Sequence, residues 1–323
     1  MNLYIVGAGF TKAVLPDAPL NNELVNALAD RSTHSAAARL RALYETNDIE
    51  IALTKLDVDI AVAASSSSRN SMRKLRFRTE VELGNYFSSI TATQEVMTRS
   101  PWLTEFIAHC FARPDVAISL NYDCVLEGAL DLCGKWSPNG GYGSSFDNPL
   151  VRGGQFKRSP VTVLKIHGSA SFGIAPYMDK PSAQAVNFSF DEWFFPRSAS
   201  NTHFGYGAGK GRTYVIAPSY VKIPAVEITY LMLDALKASS KATNLIVIGC
   251  GMRPEDTFLT VIVTNFLRHP TWRGRRIVVV DPRAKRIAKR LTSYWGVNVA
   301  KQIVAISATV QTSVKALAKV LSR

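Results

Sequence analysis

Asn2-Leu3-Tyr4-Ile5-Val6-Gly7-Ala8-Gly9-Phe10-Thr11-Lys12 decides how this chain is read. A short apolar run ends in two glycines flanking one small residue, and a hydroxyl and a helical pattern follow. That order fits a strand, a tight turn and a helix N-terminus. Such a turn is a candidate phosphate cradle. Glycine permits positive φ and a close backbone approach, while unpaired amides and the partial positive charge of a helix start attract an anionic pyrophosphate. Gly-x-Gly after a strand also serves as a plain packing turn, so the rest of the chain has to decide between the two.

At 323 residues, 47% hydrophobic and 20% charged, the chain can bury a large core and fits one big domain or one domain with an inserted module. No apolar run approaches the roughly 18 residues of a membrane span, and the start lacks the pattern of a secretory leader. A cytoplasmic protein without a membrane partner is expected. Cys110, Cys124, Cys133 and Cys250 include no Cys-x-x-Cys pair, so buried thiols and no metal are expected. The formal charge of +13 favours an acidic partner, whether nucleotide, nucleic acid or acidic protein. The densest basic stretch runs from Arg268 through Arg273, Arg275, Arg276, Arg283, Lys285, Arg286, Lys289 and Arg290. Interrupted by Ile277-Val278-Val279-Val280, it reads as a solvated rim rather than a nucleic-acid groove.

After the opening turn, Leu20, Leu24, Val25 and Leu28 mark the core face of a first helix beginning near Pro19. From Arg31 to Pro114 the pattern is helical nearly throughout. Helices are expected at 36–44, 49–56, 72–90 and 102–111, with an exposed, mobile loop at Ala63-Ala64-Ser65-Ser66-Ser67-Ser68. So long a stretch without a strong strand reads as a helical module inserted at 31–114, placed to cover a site.

The second strand, Val116-Ala117-Ile118-Ser119-Leu120, runs into Asn121-Tyr122-Asp123 and an amphipathic helix from Cys124 to Leu132. Polar side chains at the carboxyl end of a parallel strand sit where α/β folds bind ligands, although Asp123 also fits a helix N-cap and Asn121 a turn. Beyond a loop containing Gly140-Gly141-Tyr142-Gly143-Ser144-Ser145, the apolar run Val161-Thr162-Val163-Leu164-Lys165-Ile166 ends in His167-Gly168-Ser169. His167, beside a glycine at a strand terminus, is a candidate catalytic group. Residues 170–212, rich in aromatics and glycine (Trp193, Phe194, Phe195, Tyr206, Gly207, Gly209, Gly211), read as a long loop or lid with little regular structure. A short strand at Tyr214-Val215-Ile216, stopped by Pro218, and a helix from Pro224 to Ser239 follow.

The last third alternates strand and helix. Asn244-Leu245-Ile246-Val247-Ile248 enters a second glycine turn, Gly249-Cys250-Gly251, and Pro254-Glu255-Asp256 opens a helix that ends near Leu267. The strand Arg276-Ile277-Val278-Val279-Val280 ends in Asp281, an acidic group placed to accept hydrogen bonds from ribose hydroxyls. Helices at 283–294 and 307–321, with a weak strand near Ile303-Val304, complete a Rossmann-like, doubly wound, mostly parallel α/β sheet of about six strands.

Gly7-Ala8-Gly9-Phe10-Thr11, Leu120-Asn121-Tyr122-Asp123, Lys165-Ile166-His167-Gly168-Ser169 and Gly249-Cys250-Gly251, in this order, resemble the motif series of the sirtuin superfamily. The nearest likeness is to the bacterial sirtuin-like domains of phage-defence systems, whose activity is NAD+ hydrolysis. The resemblance implies a Rossmann part at 1–30 and 115–323, with NAD as substrate and no metal. It implies that Gly7, Ala8, Gly9, Phe10 and Thr11 form a pyrophosphate loop and that Asn121 is the active-site asparagine. Asp123 would hold the nicotinamide end, His167 would be the base acting on the ribose with Gly168 and Ser169 beside it, and Gly249, Cys250, Gly251 and Asp281 would receive the adenosine half. Two family features are missing. The arginine of sirtuin deacylases is not evident in Pro16-Asp17-Ala18-Pro19-Leu20, and the four-cysteine zinc module is absent, which puts acyl-lysine chemistry in doubt.

The expected activity is cleavage of NAD+ to nicotinamide and ADP-ribose, in a regulated effector of anti-phage defence restrained by homo-oligomerisation, a partner protein or the helical insertion. Two alternatives stay open: a non-catalytic NAD or ADP-ribose-binding assembly subunit with a basic surface for nucleic acid or protein, and an NAD-dependent protein deacylase.

Overall fold

A parallel strand covered by helices on both faces needs apolar side chains at every position, and Leu3–Val6, Leu245–Ile248 and Ile277–Val280 supply them; all are buried. The computed structural model describes residues 1–31, 35–143, 159–174, 212–216, 218–220, 226–253, 256–268, 270 and 274–322. The chain opens with β1 (Asn2–Val6) and α1 (Ala8–Val14). A run of helices follows: α2 (Asn21–Ala29), α3 (Ala36–Tyr44), α4 (Ile49–Val62), α5 (Ser66–Phe87), α6 (Gln94–Arg99) and α7 (Pro101–Cys110). Next come β2 (Val116–Ser119), α8 (Val125–Leu132), the single turn α9 (Pro138–Gly141), β3 (Thr162–Lys165), β4 (Gly168–Ile174) and β5 (Arg212–Val215). The remainder alternates: α10 (Val226–Lys241), β6 (Asn244–Ile248), α11 (Thr257–Arg268), β7 (Arg276–Val280), α12 (Ala284–Trp295), the short α13 (Val297–Ala300), β8 (Ile303–Ile306) and α14 (Val310–Leu321).

Six strands form one parallel sheet in the order β3-β2-β1-β6-β7-β8, and β4 pairs antiparallel with β5 in a separate two-stranded sheet. Numbered along the chain, the six read third-second-first-fourth-fifth-sixth. This is the expected doubly wound, Rossmann-like α/β order, with its switch point between β1 and β6. No helix among the described residues is long and apolar enough to cross a membrane.

Apolar side chains gather in two clusters. The larger surrounds the sheet and includes Met97, Leu103, Phe106 and Ile107 of α6 and α7. The smaller joins Leu24, Leu28, Leu40, Leu53, Leu75 and Leu83 of α2 to α5 with Tyr122, Ala170 and Val215. The helical layer therefore meets the sheet domain at the loop after β2 and at the β4–β5 pair.

Several local expectations are corrected. The first helix is α1, which starts at Ala8 directly on the glycine turn; the helix expected near Pro19 is α2, beginning at Asn21. The serine run is no loop. Ser65 Oγ accepts from Ser68 N at 3.1 Å, so the serines cap and begin α5. Ser65→Ala is expected to lower stability by about 1 kcal/mol, read as a shift in the urea midpoint. Part of the expected 170–212 loop is regular, since β4 continues to Ile174 and pairs with β5; the rest, 175–211, lies outside the described residues, as do Ser144, Ser145, Pro254, Glu255 and Arg273. Arg275 is not on a solvated rim. It is buried, and its guanidinium donates to the carbonyls of Ser239, Ser240 and Phe266 near the ends of α10 and α11. Arg283, Lys285, Arg286 and Lys289 do form an exposed face, with Ala284, Ile287 and Leu291 buried on the other side of α12.

Candidate functional site

Strand register brings the motifs together. Val6 pairs with Ser119 and Ile248, Ser119 with Lys165, and Ile248 with Val280, so these five residues form one row across the sheet. Gly7, Asn121, His167, Gly249 and Asp281 each lie one or two residues beyond that row, at the carboxyl edge where open α/β sheets bind ligands. Adjacent strands lie about 4.8 Å apart, so the row from β3 to β7 spans roughly 19 Å, a breadth suited to an elongated ligand.

The two glycine turns form the floor. Gly9 N donates to Gly249 O at 2.9 Å, Gly7 N to Ile248 O at 3.0 Å and Phe10 N to Gly7 O at 2.9 Å. A Cβ on Gly7 would lie 2.7 Å from Gly249 O, and one on Gly9 would lie 2.8 Å from Gly249 Cα. Gly7 itself is extended, with φ −114°; the left-handed residue is Gly249, at φ 56°. These glycines therefore join one turn to the other across the switch point, and the amides of Gly9 and Phe10 are engaged inside the protein. The packing role weighed for the first turn is real. Gly251 differs, because a Cβ there would meet no protein atom within 4 Å. Gly249→Ala is expected to cost about 3 kcal/mol or more, since its Cβ would sit 2.4 Å from Phe10 N, while Gly251→Ala costs about 0.5 kcal/mol or less. Urea unfolding of the two variants measures the difference.

The loop after β2 is tied to the first turn by side chains. Asn121 Nδ2 donates to Gly7 O at 3.1 Å and to Thr11 Oγ1 at 3.0 Å, and Thr11 donates on to Asp123 Oδ2 at 2.8 Å. Because Gly7 O can only accept, the Asn121 amide orientation is fixed, and Oδ1 is the acceptor outside this network. Asp123 Oδ1 accepts from Val125 N at 3.0 Å, but the N-cap of α8 is Cys124, so Asp123 sits one residue ahead of the capping position expected for it. Burial pushes the Asp123 carboxyl above the usual range, against the pull of Lys165 and the Thr11 hydroxyl. Thr11 and Asp123 are thus committed to each other.

Beneath this loop lies a fully buried ion pair: Lys165 Nζ stands 3.0 Å from Glu127 Oε1 and also donates to the Asp123 carbonyl. Burial works against the ammonium, but its acidic neighbours, Glu127 foremost, hold Lys165 above the ordinary lysine value. The pair fixes α8, β3 and the Asn121 loop to one another.

His167 is buried, and its Nε2 lies 3.3 Å from Asp256 Oδ2. Its main-chain carbonyl accepts from Ile216 N at 2.8 Å, and Gly168, at φ 77°, turns the chain from β3 into β4. Asp256 precedes α11, which follows β6, whereas His167 follows β3; β1 and β2 lie between their parent strands. Asp256 therefore meets His167 across the switch point. Arg253 Nη1 meets Glu50 Oε2 of α4 at 3.1 Å, and Arg290 Nη1 donates to Gly251 O at 2.7 Å. Asp281 ends β7 with Oδ1 accepting from Arg283 N at 2.8 Å.

Three sequence candidates present their side chains to the interior instead. Phe10 packs on Phe106, Ser169 sits in a buried chain with Ser171, Tyr142 and Cys124, and Cys250 is buried, its thiol pushed up to about 12 by desolvation. A thiol so held stays protonated at neutral pH and is no nucleophile. Conversely, Asp256, Lys165 and Glu127 were not singled out. Lys165 and Glu127 carried a signal, each being one charge inside an apolar run, a position rarely buried without a partner.

No family model and no curated protein matches the sequence. Among solved structures, a Sir2 homologue mutant in complex with ADP-ribose is similar at 12% identity and TM-score 0.46, covering 99% of this chain and 93% of that one. A Sir2 homologue–NAD complex is similar at 12% identity and TM-score 0.45, covering 99% and 89%. Another mutant Sir2 homologue bound to ADP-ribose follows at 11% and 0.45, covering 99% and 92%.

Proposed function

We propose that this rim binds NAD+ and hydrolyses its nicotinamide–ribose bond. The observation that carries the reading is the convergence of His167, Asn121 and the Gly7 turn just beyond one register row, with Asp256 reaching His167 from across the switch point. Cleavage of this bond passes through an oxocarbenium-like state that needs orientation, stabilisation of positive charge on the ribose and a placed water. Asn121 Oδ1 is the acceptor that orients the ribose or the water. Asp256 lies against the His167 ring at Nε2, and the imidazole is the group that takes a proton from a ribose hydroxyl or from the attacking water. The C–N bond breaks with its electron pair going to nicotinamide. Water then bonds to the ribosyl carbon and its proton leaves through His167. The products are nicotinamide, ADP-ribose and one proton.

On the same proposal, supported by the resemblance noted above, the protein is a regulated effector of bacterial anti-phage defence, restrained by an oligomeric or partner contact, with the helices of 31–114 gating the rim. Arg253 bound to Glu50 of α4 supports the gating. A nucleotide-binding subunit without turnover is the second reading, favoured by the mutual engagement of Thr11 and Asp123.

Chromatography of NAD+ incubated with purified protein across a range of enzyme concentrations tests both. Equimolar nicotinamide and ADP-ribose without any acyl-peptide is the expected result. Calorimetric binding of ADP-ribose without nicotinamide release would select the second reading, and neither binding nor release would end both.

A further inference from the structure

A cavity of about 600 Å³ lies between the loop that follows α1 and helices α5, α6 and α7. None of the rim residues lines it. Its walls include Leu15 and Asp17 of the loop, Arg31 at the end of α2, Tyr86 of α5, Arg99 of α6 and Trp102 of α7. The size falls within the roughly 300–1,000 Å³ of small-molecule pockets and is far more than a bare inorganic ion needs.

The chemistry of the lining is selective. Trp102, only partly buried, offers a flat apolar face of the kind that stacks on a planar ring. The Arg31 guanidinium carbon lies 4.3 Å from the Tyr86 ring centroid, so the ring supports the cation by its face and leaves the N–H edge for an acceptor in the guanidinium plane. Arg99 is exposed and pairs with Glu95 one helical turn earlier, a weak surface pair that an incoming phosphate can replace. Asp17 is an exposed part of the lining and suits hydroxyl donors. A ring face, a diol acceptor and two guanidinium forks together match one class of ligand.

We infer that this cavity is a second, separate binding site for a nucleoside monophosphate, with the base against Trp102, the ribose toward Asp17 and the phosphate between Arg99 and Arg31, the latter backed by the Tyr86 ring. The inference goes beyond NAD+ cleavage and does not depend on it. The cavity and the rim share α1: the Gly7 turn begins that helix, and Val14 and Leu15 at its other end line the cavity. A ligand seated here touches the end of the helix that the rim does not use.

Titration of the full-length protein with AMP, by calorimetry and by tryptophan fluorescence, tests the site. With ADP-ribose present at saturation to fill the rim, one AMP per chain is expected, with affinity reduced about tenfold or more in Arg31→Ala and in Arg99→Ala. Trp102→Phe should remove the fluorescence change while calorimetry still detects binding. Adenosine alone and inorganic phosphate alone should each bind more weakly than AMP. The proposal is overturned if AMP does not bind, if both arginine variants bind as the parent does, if adenosine binds as tightly as AMP, or if saturating ADP-ribose abolishes AMP binding and so places AMP at the rim. Arg99 is exposed, so Arg99→Ala gives a folded variant even if Arg31→Ala does not.

Discussion

Lys165→Met should lower the stability of this protein by about 3–5 kcal/mol, the range for breaking a buried ion pair from one side. Lys165 and Glu127 have no side-chain exposure at all, so removing the ammonium leaves a carboxylate that water cannot reach. The same change takes the donor from the Asp123 carbonyl. Replacing both partners by apolar groups, Lys165→Met with Glu127→Leu, should recover most of the loss, because such replacements are often neutral or better. Urea unfolding of the single and double variants measures this. If the double variant is as unstable as the single, the bond to Asp123 rather than the charge pair is what Lys165 contributes, and the ion-pair account is wrong.

His167→Ala is expected to reduce nicotinamide release from NAD+ by about 10²- to 10⁴-fold, the usual contribution of a placed acid–base group. On the cleavage reading the loss falls in kcat, with KM nearly unchanged, since the imidazole acts as charge develops rather than as the substrate binds. Asp256→Asn keeps a hydrogen-bonding partner for the ring but removes the charge, so a smaller loss of the same kind is expected. Single-turnover kinetics on variants whose circular dichroism matches the parent provides the check. Release by His167→Ala at the parent rate would remove His167 from the chemistry whatever else binds at the rim.

The strands were legible because they are buried on both faces. Leu3–Val6 and Ile277–Val280 read as unbroken apolar runs, and their spacing around helical patterns gave the doubly wound order. Helix starts were harder. Seven-residue α1 is too short to show a period of its own, and the serines before α5 look like a linker until one of them is seen capping the helix. Polar residues at strand ends were also readable, because that placement follows from the fold. Their pairings were not. Thr11 and Asp123 are 112 residues apart, and Asn121 and Gly7 are 114, so nothing local in either segment says that one answers the other. Asp256 was legible only as the opening of a helix, since its second role depends on a histidine at the end of a distant strand.

Pairing of β1 with β6 has a consequence for how the chain is made. Asn2 aligns with Asn244, 242 positions away, their side chains bonded at 2.8 Å, and β1 lies between β2 and β6 in the sheet. During synthesis one edge of that strand waits uncovered until most of the polypeptide has left the ribosome. Such late closure slows folding and exposes a sticky intermediate. Low temperature or chaperone supply, rather than any change at the rim, should therefore govern the yield of correctly folded protein.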